Sequence, residues 1–252
     1  MKKPEPNFYQ VIVGTEILNA RRDDRHFPFL RDELLKRGYW LKGSFIVEDD
    51  PDLMKKTFEL VRSDPDAVLF SFGGIGATPD DHTRQIAAEV FGDGQLHLHG
   101  EAKRLILERF GDEAYPHRIN MAMLPKGARL LHNPINKVPG FYLDNRYFFV
   151  PGFPQMAHPM IKEALDRFWP KAVKEYRYTI CVEASENDLM DIMQALPKDL
   201  DFSSLPAIKE GRYYDVISIA SKDPQKAKYW IDFFIHEIEK RGFRYHEGER
   251  CS

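Results

Sequence analysis

The 252-residue chain is poor in cysteine, holding only Cys181 and Cys251. Two such distant cysteines make neither a disulfide framework nor a zinc-ligand spacing. That pattern fits a reducing cytoplasm. Long apolar runs are also missing. The longest near the start, Val11-Ile12-Val13, is far too short for a signal peptide or a membrane span. Neither sign of charge dominates: 36 Lys and Arg face 39 Asp and Glu, for a formal net charge of −3. A broad nucleic-acid surface is therefore not expected. No internal repeat or low-complexity tract is visible. What remains is 43% hydrophobic and 13% aromatic residues, enough to bury a core and inconsistent with a disordered chain. Membrane, secreted and fibrous classes are set aside on these grounds.

The pattern along the first 170 residues alternates β-branched runs with helical spacing. Tyr9–Val13 predicts a buried strand that enters a loop at Gly14. Phe27, Leu30, Leu34 and Leu35 lie at helical spacing before Gly38, and Tyr39–Val47 is extended. Pro51 opens a second helix, with an N-cap expected inside Glu48-Asp49-Asp50. Ala67–Phe72 is a wholly apolar strand, apart from one serine, and a glycine loop follows it. Strand–helix alternation of this kind implies parallel βαβ units, which bind ligands beyond the carboxyl ends of their strands. A helix over 100–110, three short extended pieces within 128–150 and a helix over 155–169 complete this part. After Pro170 the order becomes βαββα, with a capping box at Ser185–Asp188 and a final aromatic helix after Asp223-Pro224. The tail beyond Gly242 is polar and expected to be loose. The chain is thus predicted as α/β, with a domain over 1–170 and a small α+β sandwich over 171–252.

The densest chemical signal is Gly73-Gly74-Ile75-Gly76-Ala77-Thr78-Pro79-Asp80-Asp81-His82-Thr83. Three glycines between a buried strand and a helix let backbone approach a ligand closely, and a helix start offers amides to an anion. It is neither a dinucleotide fingerprint nor a Walker loop. Thr78 as N-cap, Pro79 and Asp81 form a capping box unaided, so Asp81 has a purely structural reading. Asp80 is left without one. Paired carboxylates beside a phosphate site call for a divalent cation, with Mg²⁺ or Mn²⁺ favoured by oxygen ligands, or for ribose hydroxyls or heterocycle N–H groups as donors. Glu16 reads either as a cleft acid or as a solvated loop residue. His97 and His99 would share a strand face, but without a third ligand they read as surface residues. Ser71 has no nucleophile-elbow context.

These motifs, in order, resemble the molybdopterin-binding-like domain of the competence/damage-inducible CinA family. The matching blocks are Gly14-Thr15-Glu16-Ile17-Leu18, Val47-Glu48-Asp49-Asp50, Gly73 through Thr83, Leu124-Pro125-Lys126-Gly127-Ala128, Asn133-Pro134, Pro139-Gly140-Phe141 and Pro151-Gly152-Phe153-Pro154. The resemblance covers roughly residues 8–170 and implies a three-layer α/β/α fold with a mostly parallel sheet. It also implies a homo-oligomer and a small-molecule nucleotide or pterin as partner. The implied activity is metal-dependent hydrolysis of a pyrophosphate bond in ADP-ribose or a related dinucleotide. Asp80 and Asp81 would hold the metal, and Glu16 would be a candidate base. Gly14, Thr15, Gly73, Gly74, Gly76, Thr78, Thr83, Asn133, Gly140, Pro151, Gly152 and Gln155 would surround the ligand. The alternative is a protein that binds molybdopterin or a nucleotide without catalysis. Several positions depart from the family pattern: Thr15 replaces Asp or Asn, Ala77 replaces Pro, Arg25-His26 replaces a Thr/Ser-Asn pair, and Gln155 replaces Arg. Arg21, Arg22 or Arg25 could supply the cation lost at Gln155. The chain ends at Ser252, and the deamidase activity of longer members is not expected.

Overall fold

Every residue of the Ala67–Phe72 strand is buried, and its side chains alternate between two separate cores. That is the signature of a central strand covered on both faces. The computed structural model describes residues 6–170 and 175–250, and the chain divides into two units, Met1–Ala172 and Val173–Ser252. In chain order the first unit runs β1 (Asn7–Val13), α1 (Thr15–Leu18), α2 (His26–Leu35), β2 (Leu41–Val47), α3 (Pro51–Arg62), β3 (Ala67–Phe72), α4 (Thr83–Phe91), β4 (Leu96–Leu98), α5 (Gly100–Phe110), β5 (Met123–Pro125), β6 (Arg129–Leu131), β7 (Gly140–Leu143), β8 (Tyr147–Val150) and α6 (Pro154–Phe168).

Six of these strands form one sheet in the order β2-β1-β3-β8-β7-β6. The first four are mutually parallel, and β7 and β6 close the sheet antiparallel. Register places Ile12 beside Phe72 and Phe72 beside Val150. The carboxyl ends of β1, β3 and β8 therefore finish level, and their loops open on the same side. Helices α3, α4 and α5 cover one face through Met54, Phe58, Val61, Ile86, Val90, Ala102 and Ile106. Helices α2 and α6 cover the other through Leu30, Leu34, Met160, Ile161 and Leu165. The three-layer, mostly parallel architecture is as the resemblance implied.

Local chemistry explains the helix starts. Asp50 accepts the Leu53 amide at 2.7 Å as the cap of α3, with Pro51 following. Such a cap stabilises a helix by about 0.5–2 kcal/mol. His99 caps α5 by accepting the Ala102 amide on Nδ1 at 3.2 Å. It therefore does not pair with His97, which instead contacts Asp93 at 3.0 Å. The predicted helix start at Thr78 is not observed: α4 begins at Thr83, and residues 78–81 form a turn closed by the Asp81 amide on the Thr78 carbonyl at 3.0 Å. The small β4–β5 ribbon had no counterpart in the sequence pattern.

The second unit consists of β9 (Tyr176–Val182), α7 (Glu186–Gln194), β10 (Asp201–Lys209), β11 (Arg212–Ser221), α8 (Pro224–Lys240) and β12 (Tyr245–Glu247). Its antiparallel sheet has the order β10-β11-β9-β12. Ile180, Val182, Ile217 and Ile219 on the sheet face Leu189 and Ile192 of α7 and Ile231, Phe234 and Ile238 of α8. The capping box is present: Asp188 accepts the Ser185 amide at 3.1 Å and the Ser185 hydroxyl at 2.6 Å. Two expectations are corrected. The polar tail contributes a strand, since β12 pairs with β9 through Tyr245 and Val182; backbone bonding does not require apolar side chains. Cys181, fully buried on β9, is disulfide-bonded, so this cysteine is not the free thiol that the sparse cysteine content suggested; Cys251 lies outside the described residues. Among the described residues no helix is long and apolar enough to cross a membrane.

Phe70 is fully buried and stacks on Phe148 at 5.1 Å between ring centroids. Phe70→Ala is expected to destabilise the first unit by about 3–5 kcal/mol in urea unfolding. The exposed Phe153→Ala is expected to shift the same measurement by less than about 0.5 kcal/mol.

Candidate functional site

The level ends of β1, β3 and β8 leave a cleft of about 510 Å³ lined by the loops that follow them. Close backbone packing builds its floor. Gly73 has φ +99°, and a Cβ there would lie 2.3 Å from the Val13 carbonyl oxygen. Gly152 packs beside Gly73, whose Cα would lie in ordinary contact, 3.5 Å, with an added Cβ. Gly74, at φ +68°, gives its space to the Thr83 hydroxyl, which would be 2.3 Å from a Cβ. That hydroxyl donates to the Gly73 carbonyl at 2.9 Å, and the Thr83 amide donates to the Gly74 carbonyl at 3.0 Å. The loop is thereby pinned to the start of α4.

Asp81 shapes the rest of the loop. Its carboxylate accepts the Gly76 amide at 2.9 Å, the Thr78 amide at 2.8 Å and the Thr78 hydroxyl. The structural reading of Asp81 is thus right in kind, but the donors it caps belong to a loop and not to a helix. The neighbouring Asp80 is exposed and lines the cleft. The Thr78 hydroxyl beside it holds its carboxyl below the usual carboxylate range, so it is ionised at neutral pH. Among the described residues, the N–H groups of Gly74, Ile75 and Ala77 make no hydrogen bond within the protein. All three residues line the cleft.

The remaining walls carry mixed charge. Glu16 and Arg22 line the cleft and pair at 3.4 Å. Asp49 lines it too, but accepts both the Thr15 amide at 2.9 Å and the Thr15 hydroxyl at 2.8 Å. Asn133 is buried and holds its own turn, donating to Asn136 Oδ1 at 2.6 Å and to the Val138 carbonyl at 2.9 Å. Phe110, Met121, Val138, Phe153 and Met156 add apolar surface.

Of the residues named from the sequence, Glu16, Gly73, Gly74, Gly76, Thr78, Asp80, Asp81, Asn133, Pro151 and Gly152 meet at this cleft. The others lie off it. Gly14 is buried, and the Glu16 side chain folds back within 3.0 Å of where its Cβ would be. Thr15 clasps Asp49, and Thr83 is buried beneath the loop. Gly140 packs against the Phe149 carbonyl and Met160, and Gln155 is exposed on the first turn of α6. Arg22, one of the three arginines considered as a substitute cation, lies 5.4 Å above the Phe153 ring.

Three groups near the cleft were given no role from the sequence. Arg84 is 8% exposed, donates to the Asn120 carbonyl at 2.7 Å, and leaves its Nε unpartnered. Burial lowers its pKa, and the charge of Asp81 opposes that shift. Behind Gly152 lie two imidazoles. His26 Nε2 sits 3.2 Å from the Gly152 carbonyl, so the proton is on Nε2. Its ring stacks on Phe72 and meets His158 edge-on at 5.3 Å, and His158 stacks on Phe29. Burial lowers the pKa of both, His158 to about 4. The donors for this cluster come from positions far apart in the chain, which spacing cannot reveal.

Among the described residues no three His, Cys, Asp or Glu side chains gather into a metal-binding group. Asp81 is a poor candidate ligand because its oxygens already hold the loop. Asp80 fits the one-carboxylate contribution that Mg²⁺ commonly takes alongside phosphate oxygens and water.

Residues 10–170 match the sequence family described as "Probable molybdopterin binding domain". The chain belongs to this family. Its relatives include a CinA-like protein of Syntrophomonas wolfei, 32% identical over 173 residues that cover 65% of this chain and 41% of that protein. The chain thus spans about two fifths of the CinA-like relatives first matched. A protein of Pyrococcus furiosus is 27% identical over 253 residues, covering 94% of this chain and 98% of that protein. Among solved structures, a CinA protein with unknown function from Thermoplasma acidophilum superposes with a TM-score of 0.57 at 29% identity, covering 64% of this chain and 97% of that one. Within this family, the chain is similar to CinA-like proteins in sequence and to a CinA protein in fold.

The buried imidazoles make stability pH-dependent. His158 stays neutral in the fold down to about 4, while an unfolded imidazole takes up its proton near 6.5. The unfolded chain therefore binds more protons in that window, and stability is lost as pH falls from about 6.5 towards 4. The melting temperature is expected to drop across this range. His158→Phe is expected to flatten the drop, and a profile unchanged by the substitution would refute this account. Gly74→Ala, with its blocked Cβ and positive φ, is expected to lower the melting temperature and disorder the loop, as read by amide hydrogen exchange of residues 73–83.

Proposed function

We propose that the cleft binds the phosphate end of a small nucleotide or pterin. The unpaired amides of Gly74, Ile75 and Ala77 carry this reading. Unpaired N–H groups close together on a tight loop suit an anion. Four carboxylates line the same cleft, Glu16, Asp49, Asp80 and Asp81. Three of them are engaged by Arg22, Thr15 or the loop itself, which lessens the repulsion an incoming phosphate would meet. Inorganic pyrophosphate, titrated calorimetrically, is the direct probe. Ala77→Pro removes one amide donor. A hydrogen bond to a charged group is worth about 1.5–3 kcal/mol, so the affinity is expected to fall about 10- to 100-fold while the fold is kept. Binding unaffected by Ala77→Pro would remove that donor from the site.

Asp80 favours a second reading, hydrolysis of a diphosphate such as ADP-ribose. A divalent cation held there would neutralise negative charge on the diphosphate. The protein's own part would be to bind the phosphates on the loop amides, hold the loop through Asp81 and present an ionised Asp80. Incubation with ADP-ribose and Mg²⁺ or Mn²⁺ should then release AMP. Asp80→Asn should abolish release without changing the melting temperature, and Asp81→Asn should lower both. An inactive wild-type protein that still binds pyrophosphate would leave binding without catalysis as the function.

A further inference from the structure

We propose that Phe153, backed by Arg22, is a stacking platform for a flat heterocycle, so that the ligand carries an aromatic base as well as a phosphate. This rests on the phosphate reading above and adds the second half of the ligand. A single exposed phenylalanine needs no explanation on an ordinary surface. Phe153 differs in its setting. It lines the cleft and is 49% exposed even with a guanidinium over its ring. Its backbone cannot drift. Phe153 is the N-cap of α6 with Pro154 next, its carbonyl accepts the amides of Met156 and Ala157 at 2.9 Å each, and the preceding Gly152 carbonyl is held by His26. Arg22 is likewise held, by Glu16 at 3.4 Å.

The chemistry of this wall selects its guest. An aromatic ring with a planar, weakly hydrated cation beside it favours an electron-rich flat ring system over a sugar or an aliphatic chain. Base–aromatic stacking tolerates different bases because each has a π-face. Purines and pterins therefore share the required surface. Glu16, on the same wall, can accept N–H groups, which both ring systems carry on their edges. The phosphate amides lie on the loop after β3, and the platform on the loops after β1 and β8. A ligand using both must join a phosphate to a heterocycle.

The test compares AMP, dihydroneopterin triphosphate and ribose 5-phosphate by calorimetry on the full chain. The wild-type protein is expected to bind at least one of the two heterocyclic compounds about 5- to 100-fold more tightly than ribose 5-phosphate, the range for one stacked base. The one preferred tells purine from pterin. Phe153→Ala should erase that advantage and leave ribose 5-phosphate affinity and the melting temperature unchanged, and Phe153→Tyr should restore it. If ribose 5-phosphate binds and neither heterocycle improves on it, the platform is refuted and the phosphate site stands. If Phe153→Ala weakens all three ligands equally, Phe153 only shapes the cleft and the proposal fails. If none of the three binds, both readings fall.

Discussion

The site depends on how closely three strand ends can approach. Parallel strands β1, β3 and β8 finish level, and the chain leaving β3 passes so near β1 that Gly73 has no room for a side chain against the Val13 carbonyl. Gly152, leaving β8, flanks Gly73 on the other side, at ordinary van der Waals distance. A β-carbon at Gly73 would separate the strands or lift the loop. The cleft is what remains above this contact, and its shape is set by backbone packing before any functional side chain is placed. The two cores beneath, one on each face of the sheet, keep the strand ends level.

Charge is arranged on that frame with little left unassigned. Asp81 binds its own loop, Asp49 clasps Thr15, Glu16 meets Arg22, and Asp80 faces the cleft. Arg84 lies buried just past the loop with its Nε unpartnered. A near-neutral composition does not exclude an anion site, because backbone amides carry positive partial charge that no count of lysines and arginines records.

Much of this was legible in the sequence, and the failures have physical causes. The AVLFSF run and the glycines after it placed the central strand and the cleft loop, because burial on both faces and tight backbone approach each require particular residue types. The Thr78–Asp81 pattern also fits a helix cap, and there it misled. The same carboxylate can serve any cluster of free amides, and in the fold Gly76 and Thr78 offer theirs. Strand β12 escaped notice because it is short and only Tyr245 packs on the core, while His246 and Glu247 are exposed. His26 and His158, or Arg22 and Phe153, meet only after α2 and α6 have packed on one face of the sheet. Spacing along the chain carries no trace of such encounters.

The clasp between Thr15 and Asp49 separates shape from charge at the rim. The threonine hydroxyl both gives a proton to the Asp49 carboxylate and accepts the Asp49 amide at 3.1 Å. The loops after β1 and β2 are therefore fastened by a carboxylate held on a hydroxyl and a backbone amide, with no cationic partner. With the rim fastened by Asp49 and the loop by Asp81, Glu16 and Asp80 can be exchanged for amides or bases without loosening the walls. One scaffold of this kind can change what it holds by altering a few cleft-facing side chains, and its mouth keeps the same outline throughout.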